Sequence, residues 1–319
     1  MNRILSAALV LTALAALAAC GADGSSARSA PAGPASAAPP TTADEAPLPR
    51  RPGSVTIGSA AFPESELLAH LYAGAMRARG VTVRVHADIG ERAAYLTALQ
   101  DGSIGAVPEY TGAALDYLSP RDPARAPSEV YGRLRQAAAA RGLAVTAYAP
   151  AQDADTITVT KATAARYHLR TIGDLRDVAG KLTLGAPAPL RTVSYGVPAL
   201  KRVYGVVFGR FVPLAPTGTI TQTALRNGTV DAADIFSTDP AIARHGLVTL
   251  EDPEHIFAAQ NVVPLFKRDV LTQPMADACD EVSAKLTTAV LGRLDAQVAD
   301  GTAPATVAAR WLASAGIAP

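Results

Sequence analysis

Two short segments of the chain repeat one pattern of side chains suited to holding a ligand. Thr97–Ala106 reads Thr-Ala-Leu-Gln-Asp-Gly-Ser-Ile-Gly-Ala, and Thr223–Ala232 reads Thr-Ala-Leu-Arg-Asn-Gly-Thr-Val-Asp-Ala. The offset is 126 residues throughout. At that offset Tyr110 meets Phe236 and Thr111 meets Ser237. Each copy therefore reads as a helix end, a glycine turn, a short strand, and then an aromatic residue followed by a hydroxyl. Ligands of open α/β sheets bind outside the carboxyl ends of strands. Two similar lobes would each present one ring to a shared cleft; the plainer alternative is that both rings are core residues. Chemistry of bond cleavage has little support. The chain lacks a Gly-x-Ser-x-Gly elbow, a phosphate-binding Walker loop and a dinucleotide glycine pattern. Its five histidines, His70, His86, His168, His245 and His255, show no metal-ligand spacing. Cys279 lies on an apolar helical stripe, which suits inert packing rather than a nucleophile. No cofactor is expected, and an exported hydrolase is the weaker alternative.

The elements that must position these groups follow from hydrophobic period. Ser54–Ser59 reads as a short strand ending in a tight turn. Pro63 with Glu64 and Glu66 suits a helix start, and Leu67, Leu68, Leu71, Tyr72, Ala75 and Met76 form one apolar stripe that Gly80 stops. Val81–Val85 alternates as a half-buried strand. Strand, helix and strand in about 30 residues make a βαβ unit, and the class is α/β. Lobe 1 is expected to take in 55–150 and 265–319, and lobe 2 to take in 151–264, including a strand near 260–265 that crosses back. Each sheet is expected to be mixed and mostly parallel. Met275 to Ala299 reads as one long helix that packs, with the Trp311 segment, on lobe 1. Two crossings make a hinge, which permits closure on a ligand.

Composition narrows the classes. The chain has 319 residues, 49% of them hydrophobic, and a net charge of +1. That balance argues against a nucleic-acid partner, and the apolar content excludes a disordered chain. Residues 1–20 read as an export signal: Arg3 opens it, an uncharged, mostly apolar run follows, and Leu17-Ala18-Ala19-Cys20 closes it. Small residues before a cysteine resemble the lipobox of bacterial lipoproteins, which would make Cys20 the lipidated first residue of the mature protein; an ordinary cleaved signal is the alternative. Residues 21–53, rich in Pro, Ala and Ser, read as a tether without a core.

Three motifs carry a family resemblance. Ile57-Gly58-Ser59 with Phe62 and Glu64, then Pro108-Glu109-Tyr110-Thr111-Gly112, then Asp234-Ile235-Phe236-Ser237-Thr238-Asp239 resemble the osmoprotectant-binding proteins of ABC importers. These are the glycine betaine, choline and carnitine receptors. The resemblance implies a two-lobed periplasmic-binding-protein fold of the second type and a membrane-tethered, extracytoplasmic receptor. It also implies a permease and an ATPase on other chains, and capture of a quaternary ammonium solute. Such a nitrogen donates no conventional hydrogen bond and is held by ring faces, each contact contributing about 0.5–2 kcal/mol.

On the resemblance, Tyr110 aligns with one wall of an aromatic cage, and Phe236 stands where relatives usually carry tyrosine. Tyr195 is a further candidate, with a surface turn as its alternative. Ser59, Phe62, Thr111 and Thr238 fall in the matching segments. Asp155 falls where betaine-binding relatives often show asparagine, and Ile157 would then replace a cage ring. Places where relatives clamp a ligand carboxylate hold Ala60, Ala113 and Val193, with Arg191 two residues away. A buried carboxylate without a partner costs on the order of several kcal/mol. The sequence therefore favours choline-like cations, or a larger betaine such as carnitine or ergothioneine, over glycine betaine. Other readings are an amino-acid derivative as the solute, or a module that senses a solute without transporting it.

Overall fold

A computed structural model describes residues 47–51 and 53–317. The signal and lipobox readings at 1–20, and most of the tether, lie outside the described residues.

The chain builds one sheet, leaves it, builds a second, and returns. The first part runs β1 (Ser54–Gly58), α1 (Pro63–Ala78), β2 (Thr82–His86), α2 (Arg92–Asp101), β3 (Ala106–Tyr110), α3 (Thr111–Leu118), α4 (Pro127–Ala139) and β4 (Leu143–Val145). The second runs β5 (Ile157–Thr160), α5 (Lys161–Tyr167), β6 (Thr183–Ala186), α6 (Val197–Ala199), β7 (Arg210–Pro213), α7 (Thr219–Arg226), β8 (Ala232–Asp234), α8 (Pro240–His245) and β9 (Leu247–Thr249). The return supplies β10 (Val262–Lys267), α9 (Gln273–Lys285), α10 (Thr288–Ala299) and α11 (Pro304–Ser314).

The sheet orders are β2-β1-β3-β10-β4 and β7-β6-β8-β5-β9. They match strand for strand. In each, the fourth strand is the one that arrives from the other lobe, and it runs antiparallel to both neighbours. Each sheet is thus mixed and mostly parallel as expected: four strands run one way, and the crossing strand enters from the opposite end. β10 lies wholly in the first sheet, so lobe 1 resumes before Val262 and not at 265.

Local sequence explains the first unit. Pro63 takes the first turn of α1, Glu64 and Glu66 face its positive end, and the expected stripe is buried. α11 packs on α1 so closely that a Cβ on Gly74 would stand 2.4 Å from Leu312 Cδ1. The expected long helix at 275–299 is two helices. Leu286 turns extended, and its carbonyl accepts the Ala151 N–H at 2.9 Å. The Thr287 hydroxyl then caps α10 by accepting the Val290 N–H. The apolar period runs through the break, but a hydrogen bond from the outgoing crossing and a favourable cap outweigh it.

The 126-residue repeat is reproduced bond for bond. The Asp101 carboxylate accepts from the Ser103 N–H and hydroxyl, as the Asn227 amide oxygen does from Thr229. Ile104 N–H donates to Ala98 as Val230 N–H donates to Ala224. Gly102 and Gly228 both hold positive φ, at 85° and 78°, the conformation that ends each helix.

Candidate ligand-binding cleft

Two crossings join the lobes, and the repeated hydroxyls fasten them. Thr111, the first residue of α3 just past β3, donates to the Ala259 carbonyl at 3.1 Å and accepts the Asn261 N–H at 3.1 Å. Ser237, its counterpart past β8, donates to the Gln152 carbonyl at 2.6 Å and accepts the Ala154 N–H at 3.0 Å. One device therefore clamps the return crossing and the outgoing one. Gln152 and Asn261 pair directly as a bridge between the crossings. The Gln260 side chain accepts the Ala113 N–H at 2.9 Å.

Tyr110 stands beside the clamp. It is 9% exposed, and its ring lies 6.4 Å from that of Phe62, nearly parallel at 22°. Phe62 is 42% exposed. The Tyr110 hydroxyl donates to Glu64 at the start of α1. Asp153 of the outgoing crossing and Asp295 of α10 join Glu64 behind the ring. Burial, then the charge of Glu64, pushes both carboxyls well above the usual carboxylate range. Asp153 accepts from the Thr238 hydroxyl at 2.7 Å, while one Asp295 oxygen has no partner among the described residues. Ser59 is buried, donates to the Ala60 carbonyl and accepts the Asp88 N–H, so its hydroxyl shapes the turn after β1.

A cavity of about 510 Å³ opens between the lobes. From lobe 1 and the return crossing it is lined by Ala113 and Asp116 of α3, by Arg92, Arg121 and Arg125, and by Phe257 and Gln260. From the other side come Asp155, Ser194 and Tyr195, the last 42% exposed. Arg92 is engaged by Glu109, which is buried and also accepts from the Tyr95 hydroxyl. Arg125 gives one nitrogen to the Asp122 and Ala124 carbonyls. Behind Asp155 lies Asp234, 0% exposed at the end of β8, with the Asp155 carboxyl and the Thr156 N–H against its own carboxyl.

The structure brings Asp155 and Tyr195 to the cavity wall, and groups Tyr110, Phe62 and Thr238 around the acidic cluster. Phe236 is half-buried and pairs with neither ring. Ile157 is buried in β5, and Val193 packs against the second lobe's core. Arg191 lies over the Phe211 ring at 5.8 Å and does not line the cavity; Arg121 and Arg125 supply its basic groups instead. Sequence reading missed those arginines and Phe257, which lie in loops without a period. It also missed Asp153, Asp234 and Asp295 as a buried set, though a charge beside Leu294, or after Ala232-Ala233, is a readable signal.

Two lobes are thus clamped at a double crossing, with ionisable groups lining the space between. Residues 53–314 match the family of substrate-binding domains of ABC-type glycine betaine transport systems. The chain belongs to this family. It is 26% identical to the glycine betaine-binding protein YehZ of Escherichia coli (strain K12) over 276 residues, which cover 82% of this chain and 90% of that one. The solved apo structure of YehZ from Escherichia coli superposes with a TM-score of 0.73 at 25% identity, covering 83% of this chain and 99% of that one. A structure described as a glycine betaine/carnitine/choline ABC transporter gives a TM-score of 0.77 at 22% identity, covering 83% and 98%. The fold of this substrate-binding domain is therefore that of its family. Among the described residues no helix is long and apolar enough to cross a membrane.

Proposed function

We propose that this receptor captures a quaternary ammonium solute, choline-like or betaine-type, between its lobes and delivers it to a permease and ATPase on other chains. Lipid attachment at Cys20 would hold it at the extracytoplasmic face of the membrane. The observation that carries the ligand class is the Tyr110–Phe62 ring pair beside a junction rich in carboxyl groups. Rings and carboxylates together suit a fixed positive charge that cannot donate hydrogen bonds. Arg125 on the lobe 1 wall is a basic group that the carboxylate of a betaine such as carnitine or ergothioneine would meet.

Titration calorimetry with choline, glycine betaine, carnitine, proline betaine and ergothioneine tests the class. At least one should bind below the millimolar range. Failure of all five, with binding of a neutral sugar or an anionic amino acid, would refute it.

A further inference from the structure

We propose that Asp155 and Asp234 form a cation subsite that holds one proton while the receptor is empty and exchanges it for the positive nitrogen of the ligand. The inference rests on the quaternary ammonium reading and adds to it a residue pair and a proton.

The geometry comes first. Ile157 of β5 pairs with Asp234 of β8, so Asp155, two residues earlier, takes the diagonal position beside it. Asp155 reaches the 510 Å³ cavity and also a smaller one of about 230 Å³ on its other side. Asp234 sits behind it, sealed from solvent, with the Asp155 carboxyl and the Thr156 N–H against its oxygens and no cation beside them among the described residues. A buried carboxyl pair to which the fold brings no counter-charge is a poor structural element, and it points at a cation from outside.

Other ionisable groups do not fill that place. Asp153, on the same crossing, is acidic and already bonded to Thr238. Tyr195 from the second lobe and Asp116 from α3 face the pair without positive charge; burial, then the proximity of Asp155, Asp116 and Asp234, opposes ionisation of the Tyr195 hydroxyl. Across the smaller cavity stand Asp252, which accepts from the Tyr204 hydroxyl, and His255. The cations on the large cavity are Arg92, paired with Glu109, and Arg121 and Arg125 on the lobe 1 wall, where Asp122 lies beside them. Arg125 is the one that offsets the acids at Tyr195.

Two adjacent buried carboxyls cannot both ionise without a counter-charge. Burial raises both, and the charge of Asp155 raises Asp234 further. In the empty cleft the pair therefore carries one proton. When a cationic nitrogen enters against the Asp155 carboxylate, its charge lets Asp234 ionise as well: the Asp234 O–H bond breaks, both carboxylates face the cation, and the proton leaves to water. Binding then releases up to one proton and strengthens as pH rises through neutrality.

Calorimetry of the full chain with choline, run at pH 7 in two buffers of different ionisation enthalpy, reads the proton directly. The expected result is net proton release. Asp155→Asn should weaken choline at least tenfold and abolish the release. Asp234→Asn removes the group that carries the proton and leaves Asp155 ionised, so choline should still bind, without release and with little pH dependence. Circular dichroism confirms that each isosteric variant is folded. Choline bound without proton release, or with equal affinity to Asp155→Asn, would overturn the proposal and leave the ligand class standing. Release that persists in Asp234→Asn would place the proton in the Glu64–Asp153–Asp295 group and also overturn it. No binding of any quaternary ammonium compound would remove the ligand class itself.

Discussion

Replacing Thr111 by valine tests whether its hydroxyl is a hinge fastening or a ligand contact. The two side chains have nearly the same shape, so packing at this fully buried position is kept. Two hydrogen bonds disappear, to the Ala259 carbonyl and from the Asn261 N–H, each 3.1 Å long. A neutral hydrogen bond contributes about 0.5–1.5 kcal/mol net, and a buried donor left unmade costs about 1–3 kcal/mol. Thr111→Val should therefore lower stability by about 2 kcal/mol. For a folded unit of this size that corresponds to a fall in Tm of roughly 4–8 °C. Ser237→Ala removes the matched pair of bonds at the outgoing crossing, where the hydroxyl is half-buried. Its loss should be smaller, about 1 kcal/mol. Urea denaturation followed by circular dichroism gives both values. Unchanged stability of Thr111→Val, together with a large loss of ligand affinity, would refute the fastening role.

Three further outcomes are expected. Tyr110→Ala should weaken binding of the quaternary ammonium ligand by at least about 1 kcal/mol, read by calorimetry; unchanged affinity in a folded variant would remove the ring from the site. Gly112→Ala should destabilise by about 1–3 kcal/mol, because its Cβ would stand 2.6 Å from the Ala259 carbonyl oxygen, a backbone atom of the return crossing. A melting temperature equal to the wild type would show that the crossing yields freely there. The ligand-free receptor should lose stability as pH rises from about 5 to 8. Asp153, Asp234 and Asp295 ionise later folded than unfolded, so the native state holds more protons in that window. The contribution is complete below the unfolded carboxylate range and fades on raising pH. A Tm that climbs over the same window would contradict it.

Much of the frame was legible because it is local. Pro63, Glu64 and Glu66 announce α1, its stripe fixes the buried face, and the repeat at 126 residues foretells two lobes of one design. What escaped is set by long-range partners. The break at Leu286 interrupts an apolar stripe that continues on either side, and a bond from Ala151 helps decide it. The acidic set draws Glu64, Asp153 and Asp295 from three distant stretches, and each reads alone as an ordinary helix or loop acid. The repeat also predicted matching hydroxyls at Thr111 and Ser237, but not that both would be spent on the crossings. Nothing in the sequence says which strand threads beside them.

The central claim is that a fixed positive charge sits between the lobes, against rings and carboxylates. A crystal structure of the complex with the tightest-binding quaternary ammonium compound tests it most directly. The ligand nitrogen should lie within about 6 Å of the ring centroid of Tyr110 or Tyr195, with Asp155 beside it. A ligand bound outside the space between the lobes, or a nitrogen held only by backbone carbonyls away from every ring, would contradict it.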